Sequence, residues 1–205
     1  MAKLYMGFDA GTQSVKVAVY DKSFNPVASH SLPTTLHYPQ PGWVQMNIDE
    51  FLNITVECMR KTVDAIKGKG YSPSDIAAVM GDGIICSICG VDKNGKAVTP
   101  YINYLDSRTQ ADVDAINAKN LDIWGRETGN PEANCMFPAM FARWFLANSE
   151  DFRQKGVKFV HNAPYILMNL AGLKGEDAFI DWGAMSGWGL GYKVEKKEWS
   201  DEQLD

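Results

Sequence analysis

Short apolar runs with strict alternation open the chain. Leu4–Phe8 and Val15–Tyr20 flank a polar turn, and Val27–Leu32 follows a second turn at Asn25-Pro26. A period of two predicts strands that bury one face. The period then changes. After the proline-rich stretch HYPQPGWVQMN, residues 37–47, the residues Leu52, Val56, Met59, Val63 and Ile66 recur at helical spacing as far as Gly68. Asn47 stands where its side chain can accept the first free N–H groups of that helix, and Glu50, three residues on, completes a capping box.

A second unit starts at Ser72-Pro-Ser-Asp-Ile76. Ile76–Met80 and Ile84–Val91 read as strands, and Asp92-Lys-Asn-Gly95 is a turn signal. From Ser107 to Leu170 helical patterns dominate, broken at Gly129-Asn-Pro131 and by a short apolar strand at Val157–Val160. The tail from Gly172 is rich in glycine and tryptophan and ends in WSDEQLD, residues 199–205, which reads as the opening of another helix. Strands first, then strand–helix alternation, predict an α/β domain with a mixed sheet and helices on both faces.

With 205 residues, 45% of them hydrophobic and 22% charged, the chain can bury one generous core. A net charge of −5 leaves no basic face, which argues against nucleic acid as a partner. No apolar stretch approaches the ~20 residues of a membrane helix, and MAKLYMGFD has no leader pattern. A cytoplasmic protein with no membrane partner is the simplest expectation. Cys58, Cys86, Cys89 and Cys135 are too sparse for a disulfide framework. Cys86-Ser-Ile-Cys89 has the spacing of a zinc or redox pair. In an apolar strand, however, residues three apart face opposite sides, and no second pair completes a metal site, so both read as buried structural thiols. His30, His37 and His161 show no metal-binding spacing. Trp43, in the loop after Pro41-Gly42, is the tryptophan placed to line a pocket.

The candidate chemistry lies in FDAGTQSVKVAVYD, Phe8 to Asp21. As a plain hairpin, it would use Gly11 for a positive φ and turn its polar residues to water. As an anion site, every residue has a task. Gly11 leaves the backbone bare for close approach, while the Thr12 hydroxyl and the turn amides around Gln13 can donate to phosphate oxygens. Asp9, at a strand end, can hold Mg²⁺ directly or through water. Lys16 adds a positive charge within reach of the same anion. The P-loop pattern is absent.

This stretch resembles the first phosphate-binding hairpin of the actin-like ATPase superfamily, whose domains have a ribonuclease H-like fold. Two further segments narrow the resemblance to the FGGY family of carbohydrate kinases. HYPQPGWVQMNIDEF, 37–51, is similar to that family's P-G-W-x-E-x-D-P loop. PYINYLDSR, 100–108, is similar to its P-A-I-x-W-x-D-x-R segment, with Tyr104 in the tryptophan's place. The resemblance implies that residues 1–205 are the N-terminal, sugar-binding domain of a kinase that uses ATP and Mg²⁺ to phosphorylate a small sugar or polyol. It places the nucleotide-binding domain beyond residue 205 and admits a homodimer of the full-length protein. Asp9, Gly11, Thr12, Gln13 and Lys16 match residues around the transferred phosphate and its Mg²⁺, with Asp9 and Thr12 in the catalytic role. Asp82, Ile85, Cys86, Tyr104, Asp106 and Arg108 fall on the sugar side, although Asp106 and Arg108 read equally well as a structural ion pair.

Two departures stand out. Xylulose kinases carry Gln-Met-His, and glycerol kinases Gln-Arg-Glu, where this chain has Ile84, Ile85 and Cys86. Apolar side chains leave sugar hydroxyls unpaired at ~1–3 kcal/mol each, so neither substrate follows by analogy; Asp82 and Ser87 flank the position. The family's general base is an aspartate in a Gly-Gly-Asp-like turn that would lie beyond residue 205, and Asp177 and Asp181 match positions outside that turn. The chain alone is therefore expected to be inactive. Two other readings remain: a carbohydrate or nucleotide sensor that kept the fold, and a chaperone- or actin-type ATPase. Intact Asp9 and Thr12 argue against the first, and the two segments at 37–51 and 100–108 argue against the second.

Overall fold

The computed structural model describes residues 3–204; Met1 and Ala2 of the N-terminal stretch, and Asp205 at the end of the tail, lie outside the described residues. Strands β1 (Leu4–Ala10), β2 (Ser14–Asp21) and β3 (Pro26–Pro33) form an antiparallel meander. A short strand β4 (Gln45–Met46) leads into helix α1 (Ile48–Lys67), after which β5 (Ile76–Gly83) joins β1 in parallel. The resulting mixed sheet has the order β3-β2-β1-β5. Then come β6 (Cys89–Asp92), β7 (Tyr101–Ile102) and the helices α2 (Gln110–Asn117), α3 (Ile123–Thr128), α4 (Pro138–Asn148) and α5 (Glu150–Lys155). Strand β8 (Gly156–Val160) pairs with β6, and β7 with β4. Helices α6 (Asn162–Ala171) and α7 (Trp182–Ser186), the ribbon β9 (Tyr192–Lys193) with β10 (Glu198–Trp199), and α8 (Asp201–Leu204) complete the chain. No helix among the described residues is long and apolar enough to cross a membrane.

Alternation does what the pattern requires. Leu4, Met6, Phe8 and Ala10 of β1 and Val15, Val17 and Val19 of β2 are buried in one core cluster with residues of α1 and α6. The mixed sheet stands as expected, but its helical cover differs. Helix α1 lies against β1–β3, α6 lies against β1 and β5, and the two helices touch each other, so they share one face. Tyr5, Asp9, Lys16, Tyr20 and Met80 remain exposed on the other. The reason is in the strands themselves, which carry apolar side chains at alternate positions only.

Helix α1 is capped as read, with Asn47 Oδ1 accepting from the N–H groups of Asp49 (3.0 Å) and Glu50 (3.1 Å). Glu50 does not close a capping box; its carboxylate stands 3.7 Å from His37 Nε2. The buried stripe is also rotated from the expected one. It runs through Ile48, Phe51, Thr55, Cys58, Thr62 and Ile66, with Leu52, Met59 and Val63 along its flank. Thr55 and Thr62 tolerate burial because each hydroxyl donates to the carbonyl four residues back, Phe51 and Cys58, at 2.9 Å.

The expected strand over Ile84–Val91 is reduced to β6, with Ile88 making a single bridge to Ile102. Ahead of it the backbone is engaged by side chains. The Ile84 N–H donates to Asn162, and its carbonyl accepts from the Tyr101 hydroxyl at 3.2 Å. A ladder cannot form through groups already used. Cys86 thus sits in a loop, and the opposite-faces argument for Cys86 and Cys89 does not apply to it.

Close contact between neighbouring strands gives a direct test. A Cβ on Gly81 of β5 would come within 2.0 Å of the Phe8 ring, whereas one on Gly7 would meet nothing within 4 Å. Gly81→Ala is expected to cost ~1–3 kcal/mol through overpacking. Gly7→Ala should stay within about 0.5 kcal/mol of wild type. Urea denaturation of the two variants measures the difference.

Candidate active site

The β1–β2 turn sits at the carboxyl end of β1. Gly11 N–H donates to the Ser14 carbonyl at 3.1 Å, and a Cβ on Gly11 would lie 3.2 Å from that oxygen and 3.6 Å from Asp9 Oδ1. Gly11 is not among the positive-φ residues. The plain-hairpin reason for a glycine therefore fails, and close approach of backbone and ligand is what its bare Cα offers. From beneath, Thr34 braces the turn: its hydroxyl donates to the Thr12 carbonyl at 2.7 Å and its N–H to the Gln13 carbonyl at 3.1 Å. Thr12 is half-buried and Gln13 exposed.

Register places three charges in a row. Asp9 lies opposite Lys16 on β2 and opposite Asp82 on β5. Cross-strand partners share a face, here the open one. Lys16 Nζ stands 3.7 Å from Asp9 Oδ2, with both side chains more than half exposed. Asp82 Oδ1 accepts from the Gly83 N–H at 2.8 Å. The turn, a cation and two carboxylates thus meet where β1 and β5 end side by side, the edge at which open α/β sheets hold ligands.

The loop after β5 completes that edge. Ile84 is buried, Ile85 is 48% exposed and Cys86 is half-buried. Burial pushes the Cys86 and Cys89 thiols above their ordinary range, with the charge of Asp49 a further cause at Cys89. Both stay protonated and are poor metal ligands or nucleophiles. Among the described residues no cluster of three or more His, Cys, Asp or Glu could hold a metal ion. Behind the loop, His161 and Ser87 are fully buried, and neither the two His161 ring nitrogens nor Ser87 Oγ has a hydrogen-bond partner. Burial lowers the His161 pKa to about 4, keeping the ring neutral against Trp188.

Asp106 and Arg108 form a buried ion pair, as the second of their two readings had it. Their side chains are sealed from solvent. Asp106 Oδ1 accepts from Arg108 N (2.8 Å) and Nε (2.9 Å), and Oδ2 from Arg108 Nη2 (2.8 Å) and the Val44 N–H (2.5 Å). Arg108 Nη2 also reaches Gln45 Oε1 at 3.1 Å. The guanidinium carbon is 3.8 Å from the Trp43 ring and 4.8 Å from that of Trp144. Trp43, expected to line a pocket, is one wall of this sandwich. Backbone bonds from Asn103 to Val44 (2.9 Å) and from Ser107 to Gly42 (2.8 Å) finish the joint. The two segments at 37–51 and 100–108 are therefore one mechanical unit, and Tyr104, 38% exposed, and Leu105, 52% exposed, are among the residues of the second that reach solvent.

The sequence pattern overlooked Asn162, whose buried amide joins the end of β1 to the 84–86 loop. An asparagine at a helix start reads as a cap, and no local signal shows partners so far away in the chain.

The sequence matches the FGGY family of carbohydrate kinases, N-terminal domain, over residues 4–205. Glycerol kinase 2 of Thermotoga maritima is 28% identical over 208 residues, covering 99% of this chain and 41% of that protein. Gluconate kinase from Lactobacillus acidophilus superposes with a TM-score of 0.83 at 22% identity, over 100% of this chain and 39% of that one. Xylulose kinase from Rhodospirillum rubrum gives 0.84 at 19% identity, over 98% and 40%. These structural likenesses establish the fold. This chain spans about two fifths of the length of the relatives it matches.

Two expectations follow from the buried groups. Asp106→Ala strands the Arg108 charge in the interior and should cost ~3–5 kcal/mol in chemical denaturation. For His161, the unfolded chain takes up a proton near its ordinary pKa of 6.5 that the folded chain refuses until about pH 4. Its contribution to stability is thus present above pH 6.5 and lost on acidification through that window. His161→Leu should flatten the stability profile there by up to ~1.4 kcal/mol per pH unit, read from melts between pH 7 and pH 4.

Proposed function

The chain belongs to the FGGY family of carbohydrate kinases, as its N-terminal domain, and on that premise we propose that it forms the acceptor-side half of an ATP-dependent kinase. The enzyme transfers the γ-phosphoryl group of ATP to a hydroxyl of a small sugar or polyol. One observation carries the reading: the Lys16–Asp9–Asp82 row beside the bare Gly11 turn, at the ends of two parallel strands. Relatives named as glycerol kinases support a small polyhydroxylated acceptor.

The residues present fit the groups this chemistry needs. A hard cation takes oxygen ligands, and Asp9 offers an exposed carboxylate whose ion-pair partner is a flexible lysine. A side chain at position 11 would press its Cβ to 3.2 Å from the Ser14 carbonyl, and glycine there leaves the turn's backbone open to an anion. When bound, Mg²⁺ and ATP supply the phosphoryl group and neutralise its charge, and positioning then does most of the work. In this reading Asp9 holds the ion, directly or through water. The turn amides from Gly11 to Gln13 and the Thr12 hydroxyl donate to phosphate oxygens, and Lys16 attracts the same anion. Asp82 and Tyr104 hydrogen-bond acceptor hydroxyls, while Ile85 and Cys86 lie along the carbon skeleton. Asp106 and Arg108 act by fixing the segment that carries Tyr104. The acceptor's proton leaves to a general base that we place in the part of the protein following residue 205. The compartment that fits such an activity is the cytoplasm.

ADP release by the intact protein over a panel of sugars and polyols is the test. Acceptor-stimulated release supports the reading, and none with any acceptor overturns it. The 205-residue chain by itself should transfer nothing. In the intact protein, Asp9→Ala should lower kcat by about a hundredfold or more. It should scarcely move the melting temperature, since exposed pairs contribute ~0–1 kcal/mol; near-normal turnover would exclude the metal role.

A further inference from the structure

Asn162 is the first residue of α6 and is fully buried. Its Nδ2 donates to the Ala10 carbonyl at 2.6 Å. Its Oδ1 accepts from the N–H groups of Ile84 (3.1 Å) and Ala163 (2.9 Å). Ala10 and Gly83 are the last pair of the β1–β5 ladder, so the amide stands where the next rung would be. A side-chain amide presents the same donor and acceptor as a peptide group. Asn162 therefore continues the ladder while holding the two strands apart by its own width. Gly83 makes the insertion possible, because a Cβ there would lie 2.5 Å from Asn162 Oδ1.

What leaves this wedge on each side is functional. Gly11 and its turn follow Ala10; Ile85 and Cys86 follow Ile84. We propose that Asn162 is a positioning residue whose buried amide sets the spacing between the anion turn and the 84–86 loop. It thereby holds the phosphoryl group and its acceptor in register. The roles of those two segments rest on the kinase reading above; the coupling between them rests on the hydrogen bonds alone. Geometry of this kind matters in phosphoryl transfer, where a misplacement of about 1 Å can lower the rate on the order of 100-fold. Few other side chains meet all the demands. Aspartate keeps the acceptor for Ile84 but loses the donor to Ala10, alanine loses both, and glutamine is one methylene too long for the gap.

The test uses Asn162→Ala and Asn162→Asp in the intact protein, with kinetics and amide hydrogen exchange read together. In both variants kcat should fall by at least about tenfold while the KM for ATP stays within about twofold. In Asn162→Ala the amides of Ile84 and Gly11 should both exchange at least about tenfold faster, with Val17 in β2 unchanged. Wild-type kcat in either folded variant overturns the proposal. So does faster exchange at Ile84 with Gly11 protected as in wild type, because the two segments would then move independently. Failure of both variants to fold also overturns it, by making Asn162 a packing residue. A wild-type protein that phosphorylates no acceptor sinks the kinase reading alone, and the exchange result then decides the spacing proposal by itself.

Discussion

The Asp106–Arg108 pair, stripped of water and pressed between Trp43 and Trp144, is the joint on which the site's architecture hangs. Taking a carboxylate and a guanidinium out of water is costly, and the cost is offset only where geometry is excellent and every polar edge is matched. Here the carboxylate receives four donors, and the guanidinium has two aromatic faces as well as Gln45. The planar fork is what makes this arrangement work, and a lysine could not reproduce it. By taking its partners from residues 43–45 and from residues 106–108, the pair welds two distant stretches into one wall. Tyr104 is carried on that wall.

Around this rigid part the site divides its labour by solvent exposure. The charged row of Lys16, Asp9 and Asp82 is open to solvent. Ser87, His161, Asn162 and the thiol of Cys89 lie behind it, sealed and uncharged. The exposed row therefore carries oxygen ligands and a cation, while the thiol and imidazole nearby are kept neutral by burial.

Much of this was legible in the sequence, and the misses share a cause. The hairpin, its turn and the start of α1 depend on neighbours a few residues away, so alternation, Gly11 and Asn47 revealed them. The stripe through Leu52, Val56, Met59, Val63 and Ile66 is drawn from apolar residue types alone, and it leaves out Thr55 and Thr62, although a threonine bonded to its own helix can enter a core. The run from Ile84 to Val91 is apolar enough for a strand. Its backbone is claimed instead by Asn162 and Tyr101, partners that no local pattern reveals. The exposed place of Asp9 at a strand end follows from alternation alone. For Asp106 and Arg108 a spacing of two leaves a site pair and a structural ion pair equally open, since it says nothing about burial, and the structure buries them as an ion pair.

The parallel pairing of β1 with β5 also sets an order in time. Leu4 meets Ile76 only after the residues of β2, β3 and α1 have been made. Closing so long a loop carries an entropic cost that is repaid only when the pair forms. The meander, by contrast, is joined by short turns and can assemble from local contacts. During synthesis the edge of β1 therefore waits bare while α1 is still emerging, and a bare edge is a template for another chain. Translation speed through α1 and the turn after it sets how long the nascent sheet remains open to aggregation.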